Sequence, residues 1–93
     1  MGRVRYRSRI RICVDILRII LREGEVGPTR ILYGANLSYD RLTKYLSYLI
    51  DLGLIEEVER GEHVVYRLTE KGLQFLSEFR KVEKFSRAFG IEI

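Results

Sequence analysis

From Ser8 to Glu23 apolar side chains recur at Ile10, Cys13, Val14, Leu17, Ile20 and Leu21, the three-and-four spacing of one helix face. A second apolar row, Ile12, Ile16 and Ile19, lies beside the first and leaves only Arg11, Asp15, Arg18 and Arg22 as a polar strip. A helix this apolar buries more than one side, in its own fold or against another chain. Gly24 ends it, and Gly27-Pro28 opens a short second helix predicted over residues 28–33, with proline at a first helical position where no N–H is needed. Gly34-Ala35-Asn36-Leu37 reads as a tight turn. Ser38 is the N-cap of a third helix that carries Asp40 in its first turn and runs to Leu52, where Gly53 stops it. Its buried stripe is Leu42, Leu46, Leu49 and Ile50, flanked by Tyr45.

Leu54–Val58 and Val64–Leu68 are β-prone runs around the turn-like Glu59-Arg60-Gly61-Glu62, a two-stranded hairpin. Thr69 then N-caps a last helix in which Phe75, Phe79, Val82, Ser86 and Phe89 follow one another by four, three, four and three. That is heptad spacing over two heptads; the plainer alternative is a helix packed on its own domain, but with no core left for the stretch beyond Phe79 to cover, the series reads as a dimer seam. Phe85 falls off this seam without evident cover. Three helices, a tight turn between the second and third, and a hairpin make the order of a winged helix-turn-helix. The expected fold is mainly α with a small β-hairpin (α+β): a basic N-terminal arm over 1–9, a winged helix-turn-helix domain over 10–69, and a C-terminal dimerisation helix over 70–93.

Ninety-three residues, 46% of them apolar, leave room for one domain with a small core, which a disulfide, a metal or a partner subunit would ordinarily supplement. One cysteine, Cys13, and one histidine, His63, exclude an internal disulfide and a Cys/His metal site, so oligomerisation remains. Cys13 reads as a small buried hydrophobe. Asp15 and Arg18 interrupt the apolar run near the N-terminus, so neither a secretory signal nor a membrane span is expected, and Tyr6 breaks the myristoylation pattern. A cytoplasmic, nucleoid-associated protein is the expectation.

The net charge is +4, and Arg3, Arg5, Arg7, Arg9 and Arg11 crowd the first eleven residues with no acidic neighbour. Such an arm suits a phosphate backbone; the plainer alternative is a solubilising tail. A helix in the major groove of B-DNA meets a distinct donor and acceptor pattern at each base pair. Helix three presents Arg41 for guanine or phosphate, Lys44 for phosphate, and Tyr39, Thr43, Ser47 and Tyr48 as hydroxyl donors and acceptors; the plainer alternative is a solvated helix face. Arg30 of helix two and Arg60 and His63 of the hairpin complete the candidate contacts. Nothing supports an enzyme: there is no nucleophile with a base, no metal constellation and no phosphate-cradling glycine loop, so no cofactor and no small-molecule ligand are inferred.

The run Thr29-Arg30-Ile31-Leu32-Tyr33-Gly34-Ala35-Asn36-Leu37-Ser38-Tyr39, with Leu68-Thr69-Glu70-Lys71-Gly72, resembles the small archaeal winged-helix proteins of the Sulfolobus ten-kilodalton DNA-binding family. The similarity spans roughly residues 10 to 80; the second segment recurs in many winged helices, the first is far more specific. The resemblance implies a basic protein that binds double-stranded DNA as a homodimer, through a long C-terminal helix in an antiparallel coiled coil, in an architectural (chromatin-type) or transcription-regulatory role. Two departures stand out. Glu56, Glu57, Glu59 and Glu62 make the hairpin acidic, leaving only Arg60 with His63 to approach a backbone, and the C-terminal helix is short and aromatic. The acidic hairpin also fits a second function class, a protein-interaction adaptor in transcription or replication machinery.

Overall fold

The computed structural model describes residues 7–93. The chain folds as α1 (Arg9–Glu23), α2 (Pro28–Ala35), α3 (Tyr39–Asp51), β1 (Ile55–Arg60), β2 (His63–Leu68) and α4 (Glu70–Ala88). Helix α1 is the central element. Ile12, Cys13, Val14, Ile16, Leu17, Ile19 and Ile20 are all buried, so both apolar rows are used within the one chain, against α2, β2 and α4. Each fully buried leucine or isoleucine here contributes about 1.5–3 kcal/mol through lost apolar exposure.

Short-range chemistry sets the helix starts. Ser8, Ser38 and Thr69 each take extended backbone and accept a hydrogen bond from the amide three residues on, at Arg11, Arg41 and Gly72. Helix α2 runs two residues past the predicted 28–33, because Gly34 is a packing residue and not a turn residue. A Cβ there would stand 2.8 Å from Ile19 Cδ1, and Ala35 behind it is buried. The turn is supplied instead by Asn36 in the left-handed conformation, φ 55°, whose amide closes the helix.

The two strands pair antiparallel from Ile55↔Leu68 to Arg60↔His63, which narrows the turn to Gly61-Glu62. A single bridge, Val26↔Tyr66, ties the α1–α2 loop to β2 with bonds of 3.1 and 2.8 Å. The Leu68-to-Gly72 segment forms a joint with the end of α3. Thr69 Oγ1 donates to the Gly53 carbonyl at 2.6 Å, Lys71 Nζ donates to the Leu52 carbonyl at 2.6 Å, and the Thr69 amide donates to the Leu54 carbonyl at 3.1 Å. Gly72 is pressed so closely on that Leu54 carbonyl that a Cβ would collide with its oxygen.

Helix α4 corrects the expected seam. Phe79 and Ser86, 5% and 6% exposed, turn into their own domain, where Leu76 and Phe79 join the core. Phe75 and Phe79 stack with centroids 6.0 Å apart, and the Arg11 guanidinium lies 5.6 Å from the Phe79 ring centre. The outward apolar row is Val82, Phe85 and Phe89, at 48%, 64% and 67% exposure. At 100° per residue Phe79 and Ser86 diverge from Val82 and Phe89, so a heptad series read as one seam divides between two faces.

Candidate nucleic-acid interface

Helix α3 is amphipathic, with Leu42, Leu46 and Leu49 anchoring it to the core and Tyr39, Arg41, Thr43, Lys44, Ser47 and Tyr48 exposed. The exposed residues divide between two flanks. Along one, Arg9 from the first turn of α1 joins Arg41, Lys44, Tyr45 and Tyr48 around an open cavity of about 360 Å³. The Arg41 guanidinium sits 6.0 Å from the Tyr45 ring centre, a cation–π contact that holds the side chain along the helix. Among the described residues Arg9, Arg41 and Lys44 have no carboxylate partner within salt-bridge distance. Along the other flank Tyr39, Thr43 and Ser47 face Glu57 and Tyr66 of the hairpin across a cleft of about 240 Å³.

The remaining arginines of α1, α2 and the hairpin are paired, which changes the expected inventory of contacts. Arg3 and Arg5 lie outside the described residues. Arg7 bonds Asp15 at 2.9 Å and the Ala35 carbonyl at 2.6 Å, so it fastens the N-terminus to α1 and α2. Arg9 and Arg11 are helical and not part of an extended arm. Arg11 reaches Glu83 of α4 at 3.0 Å, and Arg18 reaches the same carboxylate at 2.6 Å, leaving neither side chain free for a phosphate. Those two hydrogen bonds, Arg18's first, hold the Glu83 carboxyl below its usual range against the opposing effect of burial.

In the hairpin Arg60 forks onto Glu25 at 2.6 and 3.1 Å, and Arg67 joins Glu56 at 2.7 Å and Glu25 at 3.4 Å. The bond from Arg60 is the main reason Glu25 titrates below its ordinary value. Arg60, the expected contact at the tip, is thereby neutralised, and exposed His63 pairs opposite it in a turn flanked by Glu59 and Glu62. Arg30 pairs with Glu23 at 3.1 Å. The wing is therefore acidic in fact as well as in composition. Burial, reinforced by Glu57, raises the Tyr66 phenol, so it stays a donor; burial likewise raises the Cys13 thiol, which is inert in the core.

Sequence reasoning missed one feature outright and misplaced two others. Arg80, Lys84 and Arg87 form a basic row on α4 with no carboxylate partner among the described residues, signalled by their own four-and-three spacing. Val82 and Phe89, expected on the seam, share one outward apolar face with Phe85, which was expected off it, and a groove of about 200 Å³ is lined by Ile10, Tyr48, Leu52 and Phe75. Glu57 was legible as one of the acidic residues of the hairpin, but nothing local placed it across a cleft from Thr43. Among the described residues no group of three or more His, Cys, Asp or Glu is placed to hold a metal, and no helix is long and apolar enough to cross a membrane.

The sequence model of the winged helix-turn-helix family matches residues 6–87. An uncharacterized protein of Methanocaldococcus jannaschii is 38% identical over 71 residues, 76% of this chain and 68% of that protein. A second uncharacterized protein of the same organism is 33% identical over 82% of this chain, which spans only 34% of that protein's length. Among solved structures, Sso10a-2, a DNA-binding protein from Sulfolobus solfataricus, superimposes with a TM-score of 0.78 at 30% identity, covering 89% of this chain and 85% of that one. MarR from E. coli complexed with operator DNA has a TM-score of 0.67 at 19% identity, covering 71% of this chain and 49% of that one, a likeness of fold alone.

Proposed function

The chain belongs to the winged helix-turn-helix family and groups with its small archaeal members, and from that premise we propose that it binds double-stranded DNA as a homodimer. The family and its neighbours point to a protein without enzymatic activity. The observation that carries the DNA reading is the α3 flank, where Arg9, Arg41 and Lys44 stand without carboxylate partners among the described residues while the arginines of the wing are paired. Helix α3 enters the major groove, the three cations take phosphates along its edge, and the wing stays off the backbone. The cations of the N-terminal sequence, Arg3 and Arg5, and the α4 row add sequence-independent attraction. Titrating random and genomic duplex with the full chain across a range of salt tests this. The logarithm of the affinity should fall linearly with log salt, with a slope of about −0.9 per phosphate contact. A flat response rules the reading out, and a preference for genomic sites separates a regulatory from an architectural role.

The second copy is proposed to lie on Val82, Phe85 and Phe89, the exposed apolar row of α4. Three large exposed hydrophobics on one helix face are the pattern of an interaction surface, and this small domain has no disulfide to supplement its core. Phe85→Lys should convert dimer to monomer in sedimentation equilibrium with little loss of thermal stability. Phe79→Ala, cutting into the buried face, should instead cost about 3–5 kcal/mol of stability. A monomeric wild type at high micromolar concentration sinks the dimer.

A further inference from the structure

The cleft between the wing and α3 has a chemistry of its own. Glu57 lies on the same face of β1 as buried Ile55, so its carboxylate is directed toward the helices, whereas Glu56 on the other face is taken by Arg67. Among the described residues no cation pairs with Glu57. Its one protein partner is the Tyr66 hydroxyl, donating at 3.4 Å, which leaves most of the carboxylate's acceptor capacity open. Across the cleft Thr43 has spent its hydroxyl hydrogen on the Tyr39 carbonyl at 2.9 Å and presents only acceptor lone pairs and a methyl group. Beside them stand the free hydroxyls of Tyr39 and Ser47, with Tyr39 67% exposed. This flank repels a phosphate and accepts hydrogen bonds, the opposite of the Arg9–Lys44 flank.

We propose that the Glu57 carboxylate reads a cytosine, accepting a hydrogen bond from its exocyclic amine in the major groove and giving the protein a sequence preference. The inference rests on the DNA-binding reading above and adds a specificity-determining residue to it. The major-groove edges decide the base. Guanine and thymine offer acceptors to this position, and adenine sets its N7 acceptor next to its amine, where a carboxylate would be repelled; cytosine offers the amine without an acceptor of its own beside it. The cations of the opposite flank hold the backbone and fix the depth of α3, so that Glu57 meets base edges and not phosphates.

The test is selection from a randomised duplex library by the full chain, with affinities then measured on duplexes changed one base pair at a time. The wild type should select a cytosine at one position. Glu57→Ala should relax discrimination there by roughly 5- to 150-fold and leave the other positions and the salt slope alone. Glu57→Gln should move the preference toward adenine, because an amide both accepts from N6 and donates to N7. A wild-type pool with no cytosine-dependent position overturns the proposal. So does a Glu57→Ala protein that binds all sequences more tightly with a steeper salt dependence, which would make Glu57 a repulsive bystander. Failure of the wild type to bind any duplex removes the underlying DNA reading instead, and the two failures are distinguishable in the first titration.

Discussion

The α3 flank and the wing both carry arginines at the surface, yet in opposite states. Arg41 lies along Tyr45 with no carboxylate within salt-bridge distance among the described residues, while Arg60 and Arg67 share Glu25 and Arg67 also holds Glu56. Arg11 and Arg18 repeat the wing's arrangement at the α1–α4 contact, where Glu83 gathers both. A guanidinium with an anion of its own chain in reach serves the fold, and one without it is left for an external anion. Counting basic residues therefore overstates the cationic surface left for the proposed DNA contact.

The contrast breaks most completely if the free cations are removed. Arg9→Ala, Arg41→Ala and Lys44→Ala together should shallow the salt slope by about 2.7, since each phosphate contact contributes about 0.9. Counterion release alone is then worth roughly 500-fold in affinity at 0.1 M salt. Circular dichroism melts should be unchanged, because none of the three is buried.

Removing a shared carboxylate should do the reverse. Glu83→Ala leaves two half-covered guanidiniums unpaired, for a stability loss of about 1–2 kcal/mol after allowance for their exposure. The thermal midpoint should drop by about 4–8 °C per kcal/mol, with the DNA salt slope intact. Because the folded state lowers the Glu83 carboxyl from 4.5, this contribution is whole above that pH and is lost as pH falls through the folded value. Glu83→Gln should flatten that acid limb in urea titrations run across pH.

The smallest effect sharpens the comparison. Glu25→Gln releases Arg60 and Arg67 from their common partner, and the wing should then behave as the α3 flank does. Affinity for random duplex should rise by up to about eightfold at 0.1 M salt for each arginine that reaches a phosphate, with a steeper slope. Arg60→Ala in the unaltered chain should change neither. A Glu25→Gln protein with wild-type affinity at every salt concentration would show that the wing stays clear of the duplex whatever its charge.

What was legible in the sequence was what neighbouring residues decide. Ser38 and Thr69 cap their helices through bonds to amides three residues on, and the Leu42, Leu46 and Leu49 stripe needs only helical periodicity. Gly34 was misread because a glycine in a turn and a glycine under a close helix contact look alike until Ile19 is brought against it. The α4 seam divided because the two rows of a heptad stripe lie about 60° apart on the helix, and only the Phe79–Ser86 row meets the rest of the domain. The pairing of Arg60 with Glu25 and of Arg11 with Glu83 was out of reach, since those partners stand 35 and 72 positions apart and meet only through the fold. Glu57 was legible as an acidic residue of the wing but not as a neighbour of Thr43, for the same reason.

The joint at Thr69, Lys71 and Gly72 has a mechanical consequence. Three successive carbonyls at the end of α3 and the start of β1 are held by the first turn of α4, and Gly72 removes the slack a side chain would introduce. No hinge separates α4 from α3. In a pair of molecules joined along α4, the distance and angle between the two α3 helices are then set by a rigid strut and not by a tether. Such a pair works as a calliper, accepting only those separations along the duplex that bring both helices to the same side of the double helix.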